Sequence, residues 1–278
     1  MVTIMSDTST LYTIEQGRQK GIVIVPLGVA IDAHCYREFE EIDAETFQSF
    51  IDKGFLPTSS QPAIGEVIDA YNSAEGDIVN ITMAHGLSGT YESACMARGQ
   101  AEHPERIHVV NSKTLCGPQR HIVDAANEIA QAGGSLEEVL TLVSEMVATS
   151  ISFLIPDDFD YLHRGGRLSP LAAKMMGALK VIPVLVQSNE GQKLDAHRVH
   201  RRPKLLCADM AKSLQKHGVG QGWIVSVGHA NNRSRAQMIS DAVAQAIPQA
   251  IVEILELSPA FITQGGPECV SVQAVKTF

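Results

Sequence analysis

The stretch HGLSGTY, residues 85–91, decides the organisation of the chain, because it joins an apolar run to a segment with a helical pattern. Residues 78–83 predict a buried strand, and residues 91–100 predict a helix. Such a joint presents unpaired backbone N–H groups at the positive end of the helix dipole, and Ser88 and Thr90 add hydroxyls to them. The joint is therefore predicted to hold an anion without a formal cation.

A second joint, PTSSQP at residues 57–62, has similar chemistry. Pro62 suits the first position of a helix, and the apolar residues at i, i+3, i+4 and i+7 from Ile64 predict one buried face. The first half of the chain thus contains two hydroxyl-bearing entrances to helices. We expect them to form two sides of one pocket.

The rest of the first half predicts an alternation of strands and helices. Asp43 is placed to cap a helix that Gly54 ends, and Ser135 with Glu138 forms a capping box. Further strands are predicted at 2–5, 21–29 and 107–110, and a further helix at 122–130. This order predicts that residues 1–152 form an α/β domain with a mostly parallel sheet and helices on both faces, which binds ligands at the carboxyl ends of its strands.

The pattern changes after residue 152, and residues 153–278 predict a smaller α/β domain with a mixed sheet. Its strands are predicted at 181–186, 223–227 and 251–257, and a helix at 233–246. Residues 161–170 predict a turn that enters a helix, and Glu190-Gly191 a hairpin turn. Pro183 favours an edge or bulged position for its strand. No Gly- or Ser-rich linker separates the halves, so we expect an ordered interface between them.

Composition excludes several classes of function. The 278 residues carry a formal net charge of −9 and no basic block, which argues against a nucleic-acid or anionic-membrane surface. The basic segment 197–202 is interpreted as solvated, and His197 with His200 lacks a third metal ligand. The five cysteines are scattered and odd in number, as in reducing cytoplasm. No export signal or transmembrane helix is visible, so a cytoplasmic protein without stable membrane insertion is expected.

The aliphatic composition leaves two interpretations open. Hydrophobic residues make up 45% of the chain and aromatic residues 5%. Such an interior is typical of an ordinary α/β core, but it also suits a tunnel for an alkyl chain.

The order of the motifs resembles the DegV family of bacterial fatty-acid-binding proteins, whose members have the EDD fold. The resemblance covers nearly the whole chain and is specific because six motifs occur in the family's order. They are Ser6-Asp7, Val25-Pro26-Leu27, the loop at 57–62, LSGTY at 87–91, the stretch from Tyr161-Leu162 to Gly165-Gly166-Arg167, and Gly266-Pro267.

The resemblance implies that one long-chain fatty acid, and no other cofactor, is held between two domains. First-domain hydroxyls would bind the carboxylate, with Ser59 and Ser88 in the positions of the family's head-group residues. Their neighbours Thr58, Ser60, Gly89 and Thr90 would complete the site, together with Gln264 and Arg167 from the second domain. The protein would be non-catalytic and would present the acid to a separate partner, the catalytic subunit of a fatty acid kinase.

Four positions depart from the family's pattern. Gln264 stands where a histidine is usual, and Glu268 adds a negative charge nearby. Asn111 stands where an Asp-Ser pair is usual, and Ile182 replaces a lysine before Pro183. These departures predict altered head-group chemistry.

Other functions remain open at the level of the sequence. Ser88 could be the nucleophile of an acyl hydrolase or transferase, although the G-x-S-x-G pattern is lacking. Ser59 and Ser88 could simply cap helices, and Arg167 and Gln264 could be ordinary surface and loop residues. A regulatory protein that binds a different ligand is a third possibility. A phosphoryl-transfer enzyme is less favoured, because no G-x-x-x-x-G-K-[ST] loop is present.

Overall fold

The computed structural model describes residues 1–169, Ala172, 181–188 and 192–278. The predicted hairpin turn at Glu190-Gly191 and the helix predicted after Ser169 lie outside the described residues. Within them the chain forms a four-stranded sheet, a three-stranded sheet and a six-stranded sheet.

The four-stranded sheet is entirely parallel, as predicted for the first half. Its strands are β1 (Val2–Asp7), β2 (Val23–Val25), β6 (Asp77–Thr82) and β7 (Ile107–Asn111), in the order β2-β1-β6-β7. The chain leaves β1 towards β2 on one side and reaches β6 on the other, so the strand order reverses between β1 and β6. The carboxyl ends of these two strands are where an open parallel sheet binds its ligand.

Helices cover both faces of this sheet. Apolar side chains alternate between the two faces along each strand, so both faces have to be buried. Ile4 and Ile81 face α5 (Cys116–Gln131) and α6 (Leu136–Thr149). Met5 and Ile78 face the opposite way, onto α3 (Ile64–Ser73) and α4 (Thr90–Gln100). The short α1 (Ile14–Lys20) connects β1 to β2.

A small antiparallel sheet follows β2 and was not predicted. It has the order β4-β3-β5, with β3 (Gly28–Ile31), β4 (His34–Arg37) and β5 (Thr58–Ser60), and α2 (Ala44–Asp52) lies between β4 and β5. The prediction of a single strand over 21–29 is therefore wrong, since Pro26 has no N–H for a continued ladder and the chain turns into β3. The prediction that 57–62 is a loop is also wrong, because Thr58–Ser60 pairs with Gly28–Ala30.

The second half builds a mixed six-stranded sheet, as predicted. Its order is β10-β9-β8-β13-β11-β12, where β8 is Ile151–Ile155, β9 Ile182–Gln187, β10 Leu194–His200, β11 Trp223–His229, β12 Ile251–Glu256 and β13 Val270–Lys276. One face packs on α8 (Pro203–Lys216) and α9 (Arg233–Ala246). Pro183 lies beyond the residues of β9 that pair with β8. Strand β10 has a register shift opposite this region, in agreement with the edge or bulged position that Pro183 predicted.

Two short helices complete the second half, α7 (Phe159–Gly165) and α10 (Pro259–Gly265). The turn predicted from residue 161 is wrong, because the chain stays helical until Gly166 takes a positive φ of 67°. The helix predicted to start at Pro62 begins at Ile64 after Ala63. The helix predicted over 122–130 starts earlier, at Cys116, because the small and polar residues of its first turn are also buried.

Candidate functional site

A cavity lies where the three sheets meet, with an empty volume of about 960 Å³ including its open mouth. Its walls come from both halves of the chain. Leu27, Met83 and Leu115 line it from the first half, and Leu154 and Phe261 from the second.

Strand β5 brings the first set of polar groups to the cavity. Ser59 and Ser60 line it, and Ser59 Oγ accepts a hydrogen bond of 3.1 Å from Gln264 Nε2 on α10. Thr58 precedes them on the strand, is exposed and is not among the lining residues. The structure thus places Ser59 and Ser60 at the cavity and leaves Thr58 outside it, a distinction that the sequence prediction of a loop could not make.

The loop between β6 and α4 brings the second set. Ser88 and Gly89 line the cavity, and Ser88 Oγ lies 2.8 Å from Thr90 Oγ1. The backbone N–H of Thr90 also donates to Ser88 Oγ, at 3.3 Å. Thr90 itself is buried and does not line the cavity, and it contacts Ser88, which does. Gly89 is the N-cap residue of α4 and has no side chain to cap the helix, so the first-turn N–H groups other than that of Thr90 have no side-chain cap.

Arg167 is the cation at this end of the cavity. Its Nε donates to the carbonyl oxygen of Leu87 at 2.9 Å, and its Nη1 donates to the carbonyl oxygen of Gly165. These bonds fix the guanidinium across the Ser88 loop. The side chain is half-buried, and burial lowers its pKa because it disfavours the charged form. A nearby anion would offset this cost.

Gln264 is the predicted site residue with the least satisfied side chain. Its Nε2 donates to Ser59 Oγ and to Thr263 Oγ1, but its buried Oε1 has no hydrogen-bond partner among the residues that the structure describes. A Cβ on Gly165 would lie 2.0 Å from this oxygen, so only glycine leaves room for the amide. An acceptor and a donor of Gln264 thus lie beside Ser59 at the polar end of the cavity.

The polar end opens to the surface. A shallow depression next to the cavity shares Leu87, Ser88, Gly89 and Arg167 with it and is also lined by Gly165 and Lys193. The Nζ of Lys193 donates to the carbonyl oxygen of Gly166 at 2.8 Å, which places a second positive charge at the mouth. A ligand head group held by Ser59 and Ser88 would therefore lie close to solvent.

Gln61 lines the cavity and Gly165 lies beside it, and neither was predicted as a site residue. The side chain of Gln61 lies against Gly89, because a Cβ on that glycine would lie 3.3 Å from Gln61 Oε1. Gly165 leaves room for the side-chain amide of Gln264, as described above. Both lie inside motifs that the sequence analysis singled out, but nothing in the sequence distinguishes them from their neighbours.

A buried carboxyl group joins the two halves beside the cavity and was also not predicted. Glu38 Oε1 accepts from the backbone N–H of Ala260 at 2.6 Å, and Thr8 Oγ1 donates to Glu38 Oε2. Burial raises the pKa of Glu38 to about 7, although these hydrogen bonds oppose the shift. Asp7 is buried nearby and accepts from the N–H groups of Ser9 and Met83, and burial raises its pKa as well.

The four departures from the family's pattern lie in different places. Gln264 is the one that lines the cavity. Glu268 is exposed, and Ile182 lies at the start of β9. Asn111 Oδ1 accepts from the backbone N–H groups of His85 and Lys113, so it holds the start of the Ser88 loop.

The surroundings of Ser88 bear on the hydrolase alternative. A nucleophilic serine needs a base within hydrogen-bonding distance of its Oγ. Here that oxygen is bonded to the hydroxyl of Thr90, and His85 contacts Glu92 and the ring of Tyr91 instead.

The described residues contain no group of three or more His, Cys, Asp or Glu side chains placed to hold a metal ion. A search of the same residues found no helix with the length and apolar character needed to cross a membrane.

Comparisons with known proteins agree on one family. The family model described as "Uncharacterised protein, DegV family" matches residues 1–277. A DegV domain-containing protein from Deinococcus radiodurans is 30% identical over 257 residues, which cover 91% of this chain and 88% of the relative.

Solved structures give the same result. DegV from Bacillus subtilis, described as a fatty acid binding protein, superposes with a TM-score of 0.86 at 26% identity and covers 99% of both chains. A DegV family protein from Thermus thermophilus, whose structure is described by its fatty acid binding, has a TM-score of 0.88 at 22% identity and covers 99% of both chains. At that lower identity the second similarity speaks for the fold alone.

Proposed function

Because this chain belongs to the DegV family, we propose that it binds one long-chain fatty acid in the cavity between its two halves. We propose two domains, residues 1–152 and 153–278. This boundary falls inside β8 (Ile151–Ile155), the first strand of the six-stranded sheet along the chain. The observation that supports the proposal most is that the cavity has a polar end and a mainly apolar remainder. Hydroxyl, amide and guanidinium groups gather at its open end, and aliphatic and aromatic side chains form much of its remaining wall.

The tail would supply the affinity. Burying a sixteen-carbon chain at about 0.8 kcal/mol per methylene gives on the order of 10 kcal/mol before the entropy losses of binding. Leu27, Met83, Leu115, Leu154 and Phe261 offer the apolar surface for it.

The head group would set the direction of the ligand. A carboxylate that leaves water needs replacement hydrogen bonds. The hydroxyls of Ser59 and Ser88, the Nε2 of Gln264 and the N–H groups at the start of α4 are the donors at this end, and Arg167 adds a positive charge. Ser60 and Gly89 line the same end, whereas Thr90 acts through Ser88 and Thr58 takes no part.

We further propose that the protein is not itself an enzyme and presents the bound acid to the catalytic subunit of a fatty acid kinase. The support is the open mouth, lined by Arg167, Lys193 and Glu92, where the two positive charges outnumber the one carboxylate and through which a phosphate donor could reach the head group. The five free cysteines agree with a cytoplasmic location for this partnership.

Titration of the delipidated protein with palmitate and oleate tests the binding proposal. We expect saturable binding of one acid per chain. Absence of binding by both acids contradicts the proposal.

A kinase assay tests the presentation step. Protein loaded with oleate is incubated with a fatty acid kinase catalytic subunit, ATP and hydroxylamine, which converts an acyl phosphate to a hydroxamate and releases phosphate. Hydroxamate formation that requires all components supports presentation, and its absence with several such subunits contradicts it.

The hydrolase alternative is tested separately with a fluorophosphonate. Covalent labelling of Ser88 would favour a nucleophilic serine, and an unlabelled protein that still binds the acid favours the carrier.

A further inference from the structure

The cavity contains a row of buried polar side chains apart from those of the head-group end. Ser271 and Gln273 lie on β13, and Ser152 lies opposite Gln273 on β8. Val270 and Val272 alternate with them and pack into the core on the other face of the sheet. The alternation of the strand therefore turns the polar row towards the cavity.

The members of this row differ in their hydrogen bonds. Gln273 Nε2 donates to Ser152 Oγ at 2.9 Å and to the carbonyl oxygen of Leu115 at 3.0 Å. Thr114 Oγ1 lies 3.3 Å from Ser152 Oγ. Ser271 is only 2% exposed, yet its Oγ has no partner among the described residues.

The neighbours of Ser271 explain why its hydroxyl is unpaired. Leu154 and Gly228 flank it on the adjacent strands, and neither has a polar side chain. A Cβ on Gly228 would lie 2.4 Å from Ser271 Oγ and 2.7 Å from a methyl carbon of Leu257. The glycine thus leaves space for a hydroxyl whose protein surroundings are apolar. A buried hydroxyl without a partner is unfavourable unless something in the cavity bonds to it.

We propose that the bound acyl chain carries an oxygen function, a hydroxyl or a keto group, at the carbon that passes Ser271. This inference rests on the fatty acid function proposed above and narrows it to oxygenated chains. A hydroxyl on the chain can accept from or donate to Ser271 Oγ, and a keto oxygen can accept from it, whereas a methylene can do neither. A plain chain leaves the serine unpaired, and a site of this kind discriminates against such a chain.

The test compares stearic acid with a positional set of monohydroxystearic acids on the delipidated protein. We expect at least one isomer to bind about tenfold or more tightly than stearic acid, with the other isomers weaker. The Ser271→Ala variant is expected to lose this preference, so that stearic acid then binds as well as the favoured isomer.

The matched control is Ser226→Ala. Ser226 lies on β11, the strand beside β13, outside the cavity, and its Oγ donates to Glu253 Oε1 at 2.7 Å. This variant should keep the preference of the wild-type protein.

The outcomes separate the two proposals. If the wild-type protein binds stearic acid as tightly as or more tightly than every isomer, the inference is overturned and a water molecule is the partner of Ser271. A preference that survives in Ser271→Ala overturns it equally. If no acid of the set binds, the fatty acid function itself fails.

Discussion

Replacing Ser59 by alanine tests the head-group site most sharply. Ser59 lines the cavity, and its Oγ accepts a hydrogen bond from Gln264 Nε2. A hydrogen bond to a charged group contributes about 1.5–3 kcal/mol, so its loss should raise the dissociation constant for palmitate roughly 10- to 150-fold. Gln264 Nε2 retains its bond to Thr263 Oγ1, so the free energy of unfolding should change by less than about 1 kcal/mol.

Thr58→Ala is the matched control for this variant. The two residues are adjacent on one strand, but Thr58 is exposed and does not line the cavity. Calorimetric titration of the delipidated proteins should show wild-type affinity for Thr58→Ala. Hexadecanol, which has the same chain without the carboxylate, should lose less affinity than palmitate on Ser59→Ala. Equal affinity of both variants for palmitate would refute the placement of the carboxylate beside Ser59.

Three other variants test separate parts of the structure. Ser88→Ala should bind palmitate roughly tenfold or more weakly and unfold at a free energy about 1 kcal/mol lower, since it also removes the bond to Thr90; titration showing unchanged affinity would count against its role. The free energy of unfolding of the wild-type protein should fall by up to about 3 kcal/mol as pH rises from about 4.5 to about 7, and that of Glu38→Gln should not show this fall. Tyr71→Phe should cost about 1–3 kcal/mol in urea unfolding, because Asn80 Nδ2 loses its 2.6 Å bond to the phenol; a change below about 0.5 kcal/mol would disagree.

The sign of the Glu38 effect follows from its raised pKa. Between the pKa of an unfolded carboxyl group, about 4.3, and the folded value of about 7, the folded state holds a proton that the unfolded state has lost. The free energy of unfolding therefore falls across this window and levels off above it. Asp7, also buried with a raised pKa, is present in both proteins, so the difference between their unfolding curves isolates Glu38. A difference that does not change with pH would contradict the assignment.

The sequence predicted the parts of the fold that depend on local periodicity. The parallel sheet of the first half, the mixed sheet of the second and the helix Arg233–Ala246 followed from apolar spacing and capping residues. The small sheet was missed because Thr58–Ser60 has no apolar alternation and is held as a strand only by its pairing with β3. The start of α5 was missed because its first turn is small and polar yet buried by the second half.

The same holds for the site: features set by neighbouring residues were predicted, and features set by contacts distant along the chain were not. The Ser88 loop could be predicted from the sequence, because the strand, the loop and the helix follow one another directly there. Glu38 could not, because its partners Thr8 and Ala260 lie 30 and 222 residues away along the chain. Ser271 is likewise an ordinary strand serine in the sequence. Only the structure, which places Gly228 and Leu154 beside it, shows that its hydroxyl lacks a partner among the described residues.

The most direct test of lipid binding is mass spectrometry of the purified protein, first native and then denatured with organic extraction. We predict a mass excess of one acyl chain per protein that disappears on unfolding, and an extracted fatty acid of matching mass. A native mass equal to that of the polypeptide, with no uptake of added oleate or palmitate, would contradict it.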